Sequence, residues 1–290
     1  MRLLILGATG NVGMAVLSEV LDQGHEVVAG VRDSKSAAFG AGVKTLTVDL
    51  TQGPCSDNDF DAVFLMRPPA LSDVRVFRRF LEGFSRRTRI VFLSTQGADR
   101  RAYLPHAKIE AVLEELGFET CAIRPAYFME NLTTTLAPEL RRSGQIYLPA
   151  GALAMDWVSV RDVAQVAAAA LLSETLPPAT TVATGRGLGF AQALSIINTV
   201  AGTQFTYVPA SLLGYLRDAR KNGLSWGLVA VMYLLHALPR LRRSQIKEGD
   251  ALALLGRPYE TLEEWAARNG VALRQIDQDR ARHAASHTAK

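Results

Sequence analysis

Short apolar runs punctuate the first half of the chain, at Arg2–Leu6, His25–Val31, Val43–Val48, Asp61–Met66, Arg89–Leu93 and Phe118–Ile123. Runs of this length and character predict buried strands. Between them, apolar residues recur at helical spacing. Val16, Val20 and Leu21 share one face of a helix expected over Val12–Gln23, closed by Gly24. Val74, Phe77, Phe80, Leu81 and Phe84 make the stripe of a helix over Ala70–Arg87, with five arginines on its wet face. Tyr103–Leu116 is a third helix, stopped at Gly117. Strand and helix in steady alternation predict an α/β protein: a doubly wound parallel sheet covered by helices on both faces.

After Pro125 the rhythm changes. A helix is expected over Ala126–Arg142, short strands at Gln145–Leu148 and Met155–Val158, and an alanine-rich helix ending at Leu172, with Asp162 as its cap. Residues 180–184 read as a strand returning to the sheet. The rest, with helices over Gly189–Ala201 and within Leu212–Leu238, predicts a smaller, mainly helical C-terminal lobe. Thr261 with Glu264 three residues on, followed by Gly270, predicts a short capped helix. The division expected is therefore 1–150 for the sheet domain, 151–276 for the lobe, and 277–290 as a frayed, flexible tail.

Candidate chemistry concentrates at the first strand. Gly7-Ala-Thr9-Gly10-Asn11-Val12-Gly13 follows it at once and leads into the first helix. This is the opening of a dinucleotide-binding βαβ unit. Gly7 permits the turn, Gly10 lets a pyrophosphate approach the backbone, and Gly13 allows close packing. The phosphates then meet the free N–H groups and positive end of the helix. Arg32 stands where the cofactor ribose is read, with Ser34, Lys35 and Ser36 as further phosphate donors, although Asp33 offers the alternative for a free 2′-hydroxyl. NADP(H) is favoured over NAD(H). Asp49, beside Leu50, either accepts from an adenine amino group or caps the following turn. Arg67 opens a rigid Pro68-Pro69 loop at the edge of the sheet where ligands bind.

Composition narrows the setting. The chain has 290 residues, 48% hydrophobic and 21% charged, with net charge +4 and a pI near 9.2. Its basic residues are scattered, which argues against nucleic acid as a partner. Cys55 and Cys121 lie at no metal-ligand or paired spacing, so neither a metal site nor a disulfide is expected. Met1 runs straight into the first strand without a secretory leader, and the most apolar later stretch, 227–238, is too short to span a bilayer. A cytoplasmic protein acting on a small molecule is expected, with the oligomeric state, monomer or homodimer, left open.

Five motifs in order then carry a family resemblance: Gly7–Gly13, Phe92–Asp99, His106-Ala-Lys-Ile-Glu110, Arg124–Asn131 and Asp156–Ala164. Together with Thr261–Trp265 they resemble the NmrA-like family of atypical short-chain dehydrogenase/reductases, across nearly the whole chain. The resemblance implies NADPH-dependent reduction of quinones, imines or dyes, or nucleotide sensing without turnover. Ordinary members of the wider superfamily use Tyr-x-x-x-Lys. Here Tyr103 and Lys108 are one residue too far apart and Pro105 intervenes, so that dyad is not assigned. On the resemblance, His106 is the expected catalytic residue, its pKa range suited to proton transfer near neutral pH, with Lys108 a weaker candidate and Glu110 orienting the helix start. Tyr127, Phe128 and Asn131 are expected to line the substrate pocket. Tyr215, Trp226, Met232 and Tyr233 form either a lid or a helix–helix core. Two functions follow: a hydride-transferring oxidoreductase of a flat aromatic, quinone-like or imine substrate, or an NADP(H) sensor acting through a protein partner. An epimerase or lyase holding its cofactor tightly is a third.

Overall fold

A computed structural model describes residues 1–21, 23–33, 39–40, 43–241 and 247–288. In chain order the elements are β1 (Arg2–Leu6), α1 (Asn11–Leu21), β2 (Glu26–Val31), β3 (Lys44–Thr47), β4 (Ala62–Met66), α2 (Val74–Leu81), β5 (Arg89–Leu93), α3 (Pro105–Glu115) and β6 (Thr120–Pro125). Then follow β7 (Tyr127–Phe128), α4 (Ala137–Ser143), β8 (Gln145–Leu148), β9 (Met155–Val158), α5 (Val160–Leu172), β10 (Ala179–Val182), β11 (Gly187–Leu188), α6 (Phe190–Ala201) and β12 (Thr206–Pro209). The chain ends in α7 (Leu212–Lys221), α8 (Trp226–Met232), α9 (Leu252–Leu255), α10 (Leu262–Arg268) and α11 (Gly270–Thr288).

The chain forms two units, each built from three separated segments: 1–126, 160–183 and 249–259 in the first; 127–159, 184–248 and 260–290 in the second. This differs from the boundary expected near residue 150. The alanine-rich helix α5 belongs with the sheet, because its buried face packs on α1 and on β4, β5 and β6.

The first unit is a seven-stranded parallel sheet in the order β10-β6-β5-β4-β1-β2-β3. Its central strands are buried on both faces: Leu3, Leu4, Ile5, Val63, Phe64, Ile90 and Phe92 are all inaccessible. On one face, Phe77, Phe80 and Leu81 of α2 join Ile109 and Leu113 of α3 in a core with strand residues such as Leu4 and Val63. α1, α5 and α9 form the other layer. The returning strand expected at 180–184 is β10, paired with β6 from Ala179 to Val182. α2 is shorter than its apolar stripe suggested. It starts where Asp73 caps it by accepting from the Arg75 N–H at 3.0 Å.

The second unit carries two small sheets, β11-β9-β7 and β12-β8, among its helices. The helix expected over 126–142 is instead β7, a 3-10 turn Met129–Leu132, and a short α4. The expected frayed tail is also corrected. Gly270 opens α11, which runs on through Thr288. Leu273 and Ile276 sit in the same apolar core as Leu140 of α4 and Ile197 of α6, and Arg280 pairs with Asp277 at 2.7 Å. Asp162 is likewise not an N-cap. It lies within the first turn of α5, buried, 2.7 Å from the Arg257 guanidinium.

Candidate active site

The glycine turn has the form its spacing predicts. Gly7 has φ +66°, and a side chain there would also run into Met66, its Cβ 2.0 Å from the sulfur. The Gly10 N–H donates to the Gly7 carbonyl at 2.8 Å, tightening the turn before α1 begins at Asn11. A Cβ on Gly13 would stand 2.2 Å from the Gly7 oxygen. Gly13 therefore lets the helix close on the turn itself. A Cβ on Gly10 meets nothing but that same oxygen, at 3.3 Å, and otherwise projects into open space. Thr9 and Asn11 are exposed at the mouth, while Val12 is buried beneath it. The first N–H groups of a helix have no partner within it. An open glycine beside such donors fits a pyrophosphate.

Arg32 directly follows β2 and is exposed. Its charge helps hold the Asp49 carboxyl below the usual carboxylate range, after the larger effect of the Thr51 hydroxyl and N–H bonds. Those bonds show that Asp49 caps the following turn, through Oδ1 alone. It accepts from the Thr51 N–H at 2.9 Å and the Thr51 hydroxyl at 2.7 Å, at the head of the 3-10 turn Leu50–Gln52. Leu50 is buried beneath that turn. Ser34, Lys35 and Ser36 lie outside the described residues.

At the end of β4, Arg67 folds back on its own loop. Its Nη1 donates to the carbonyls of Pro68, Pro69 and Leu71 at 3.1, 2.9 and 2.9 Å, and its Nε stands 3.5 Å from His106 Nε2. Nε2 is thus the acceptor, and the His106 proton sits on Nδ1. His106 is the second residue of α3, after Pro105, with Phe92 of β5 6.2 Å away ring to ring. Burial, and then the Arg67 charge, push its pKa down to about 4. The expectation that His106 titrates near neutral pH is therefore corrected: it is a neutral imidazole there. Lys108 is exposed, and two residues along a helix turn its side chain roughly 200° from His106. The structure does not bring the two together.

Glu110 joins three elements. It accepts from Ser94 Oγ past the end of β5. It also takes a two-point pair from Arg124 of β6, Nη2 to Oε2 at 2.5 Å and Nε to Oε1 at 3.2 Å. Both members of the pair are largely shielded from water. Glu110 therefore fixes α3, and His106 one turn before it, against the ligand edge of the sheet.

In the second unit, Tyr127 is the hub of an aromatic cluster. Its ring meets Trp157, Phe190 and His236 edge-on at 5.0, 5.9 and 5.6 Å. His236 is inaccessible and lies in a π-helical turn, Tyr233–Ala237, that continues α8. Its Nδ1 is 3.0 Å from the Met232 carbonyl and its Nε2 is 3.3 Å from the Tyr127 hydroxyl. A carbonyl only accepts, so Nδ1 carries the proton. Burial lowers the pKa to about 4 and keeps the ring neutral, so Nε2 accepts from the Tyr127 O–H. Asn131 in turn donates to that hydroxyl. Tyr127 and Asn131 are thus brought together, and His236 joins them unforeseen. The signal for it was a lone histidine in a run without other titratable side chains but one tyrosine. Phe128, the next residue of a two-residue strand, points to the opposite side. Of the four residues considered for a lid, Tyr215 and Met232 are buried in the lobe core, Tyr233 packs on Tyr215, and Trp226 is exposed.

Residues 7–174 match the sequence profile of the NAD(P)H-binding family. An NAD(P)H azoreductase of Xenophilus azovorans is 24% identical over 282 residues, covering 93% of this chain and 98% of the relative. Among solved structures, the NADPH-dependent quinone oxidoreductase of Escherichia coli, complexed with NADPH, superposes with a TM-score of 0.75 at 20% identity, covering 92% of this chain and 99% of that one. The Citrobacter sp. triphenylmethane reductase gives 0.74 at 17%, covering 93% and 99%. Among the described residues, no helix is long and apolar enough to cross a membrane.

Proposed function

The chain belongs to the NAD(P)H-binding family, and on that premise we propose that it is an NADPH-dependent reductase of a flat, electron-poor aromatic or quinone-like compound. The observation that carries the nucleotide half is Gly10, open to solvent at the head of α1 between the turn glycines. The backbone of Thr9 to Gly13 would hold the pyrophosphate, and Arg32 would pair with a 2′-phosphate. When bound, the nicotinamide supplies a hydride. The azoreductase relative, similar along nearly its whole length, supports a redox role.

The state of His106 narrows the substrate. A neutral imidazole beside a fixed arginine is a poor general acid at neutral pH. It is well suited to orient a carbonyl or ring through Nδ1–H, while Arg67 stabilises negative charge as it develops. That arrangement favours acceptors whose reduced form is already stable, such as a quinone giving a phenolate or a cationic dye giving a neutral product. It disfavours simple ketones, whose alkoxide needs a proton at once. Tyr127 and Asn131 are proposed as substrate-lining groups, with the Tyr127 hydroxyl aimed by His236.

The same observation keeps a second reading, an NADP(H) sensor without turnover, because a sensor needs no acid. NADPH consumption with quinones, cationic dyes, imines and ketones separates the two, with His106→Ala beside wild type. Turnover of the first two classes, reduced at least tenfold in the variant, is expected. NADPH binding without turnover on any class would favour the sensor, and preferential ketone reduction would refute the role given to His106.

A further inference from the structure

The stretch from Ser225 to Pro239 contains no charged residue, its one histidine, His236, being neutral, yet only one side of it is buried. Val229, Met232 and His236 face the lobe core, while Trp226, Leu228, Val231, Leu235 and Leu238 face outward. Leu213 of the neighbouring α7 is 69% exposed and Trp226 65%. A helix apolar on every side belongs in a protein core or in lipid, and apolar side chains concentrated on a surface mark an interaction site.

The charges along this stretch of chain are one-sided. Across residues 211–241 the cations are Arg217, Arg220, Lys221 and Arg240, and the one anion, Asp218, accepts from Asn222. Arg217 and Arg220 share the stripe of α7 that carries Leu213. The Arg220 guanidinium lies 5.8 Å from the Trp226 ring, which joins the basic stripe to the apolar face. A second copy meeting this face across a two-fold axis would set these cations against their own images. A neutral apolar ligand would leave them unused. An anionic bilayer satisfies both halves: its acyl boundary takes the apolar side chains and its headgroups take the cations. At about 1.5 Å per residue the uncharged stretch is roughly 22 Å long, short of the ~30 Å hydrocarbon core, so it lies on the membrane and does not cross it.

We propose that the apolar face of α7 and α8, rimmed by Arg217, Arg220 and Lys221, docks this protein onto an anionic lipid surface. The proposal holds whatever reaction the first unit supports.

The chain carries its own probe. Of its three tryptophans, Trp157 is 2% and Trp265 0% exposed, so Trp226 alone responds to a change of surroundings. Emission is followed as the full chain is titrated with phosphatidylcholine vesicles, with and without phosphatidylglycerol. A blue shift and protection from acrylamide are expected with the anionic vesicles only, reversed by high salt. Leu213→Gln with Val231→Gln should weaken partition at least tenfold. Arg217→Gln, Arg220→Gln and Lys221→Gln should each weaken it roughly fivefold. An unchanged circular dichroism melt in each variant shows that folding is intact. Emission unmoved by anionic vesicles, or equal partition into neutral ones, overturns the proposal. So does lipid-free, concentration-dependent burial of Trp226, which assigns the face to a second copy.

Discussion

Gly10 and Gly13, three residues apart in the same turn, should fail in different ways when each gains one methyl. In Gly13→Ala the new Cβ would sit 2.2 Å from the Gly7 oxygen, 2.6 Å from the Gly7 carbonyl carbon and 3.0 Å from the Ala8 nitrogen. All three are backbone atoms, so no rotamer change relieves the clash. The contact is about 1 Å too short, and α1 must back away from the turn by that distance. Overpacking of this kind costs about 1–3 kcal/mol of stability. It also moves the N–H groups of the cradle, so NADPH affinity falls with it. In Gly10→Ala the nearest atom is the Gly7 oxygen at 3.3 Å, a contact met by a shift of a few tenths of an ångström, and φ is not left-handed. Stability should change by less than about 0.5 kcal/mol, as for a substitution at an open site. The methyl then occupies the space left for the phosphates. Losing one charge-assisted hydrogen bond costs about 1.5–3 kcal/mol, a 10- to 100-fold rise in Kd. Thermal melts paired with calorimetric titration of NADPH read both quantities. Gly10→Ala binding NADPH as tightly as wild type would refute the assignment of this turn to the cofactor.

Arg32→Ala should raise the NADPH Kd by about 10- to 100-fold and leave that for NADH unchanged, by the same charge-assisted bond to a 2′-phosphate; equal losses for both cofactors would place Arg32 elsewhere. Glu110→Ala leaves Arg124 half-buried without its partner and should cost about 3 kcal/mol, lowering Tm by several degrees, with Glu110→Gln intermediate. His236 has its folded pKa lowered to about 4 from 6.5, so the unfolded chain binds the extra proton first and stability is lost as pH falls below 6.5. At pH 5 that loss is about 2 kcal/mol. Glu139, whose carboxyl burial pushes up to about 7, pulls the other way, so the readout is the difference between wild type and His236→Phe. Melts from pH 7 to 5 should shift that difference towards the variant by several degrees, and a constant difference would mean His236 titrates normally.

What could be read from the sequence was what neighbours along the chain decide. The turn from Gly7 to Gly13 is local, and so are the apolar strands and the capping of α10 by Thr261, whose hydroxyl accepts from the Glu264 N–H at 3.2 Å. Asp49 was readable only as two alternatives, because a strand-end carboxylate serves a ligand or a turn with the same atoms. Residues whose partners are far away were not legible. Tyr127 meets His236 across 109 positions, and Asp162 meets Arg257 from the far end of the chain. The last helix was missed because its sequence is polar and alanine-rich, and the anchors that order it, Leu273 and Ile276, gain their value only from α4 and α6. The pKa of His106 could not be read either, since it depends first on burial and then on an arginine that the loop after β4 turns back towards it.

Because the sheet is not finished by the first 126 residues, its history on the ribosome matters. β6 emerges with its outer edge unpaired, and β10, the strand that covers it, is made some fifty residues later. The nascent sheet meanwhile also lacks α5, which shields the face beside α1. An open edge of Cys121, Ala122 and Ile123 is a template for pairing with another chain. A fragment cut at residue 126 should therefore aggregate even though it retains the whole glycine turn. Translation pauses before residue 183 should tax the yield of this protein more than pauses after it.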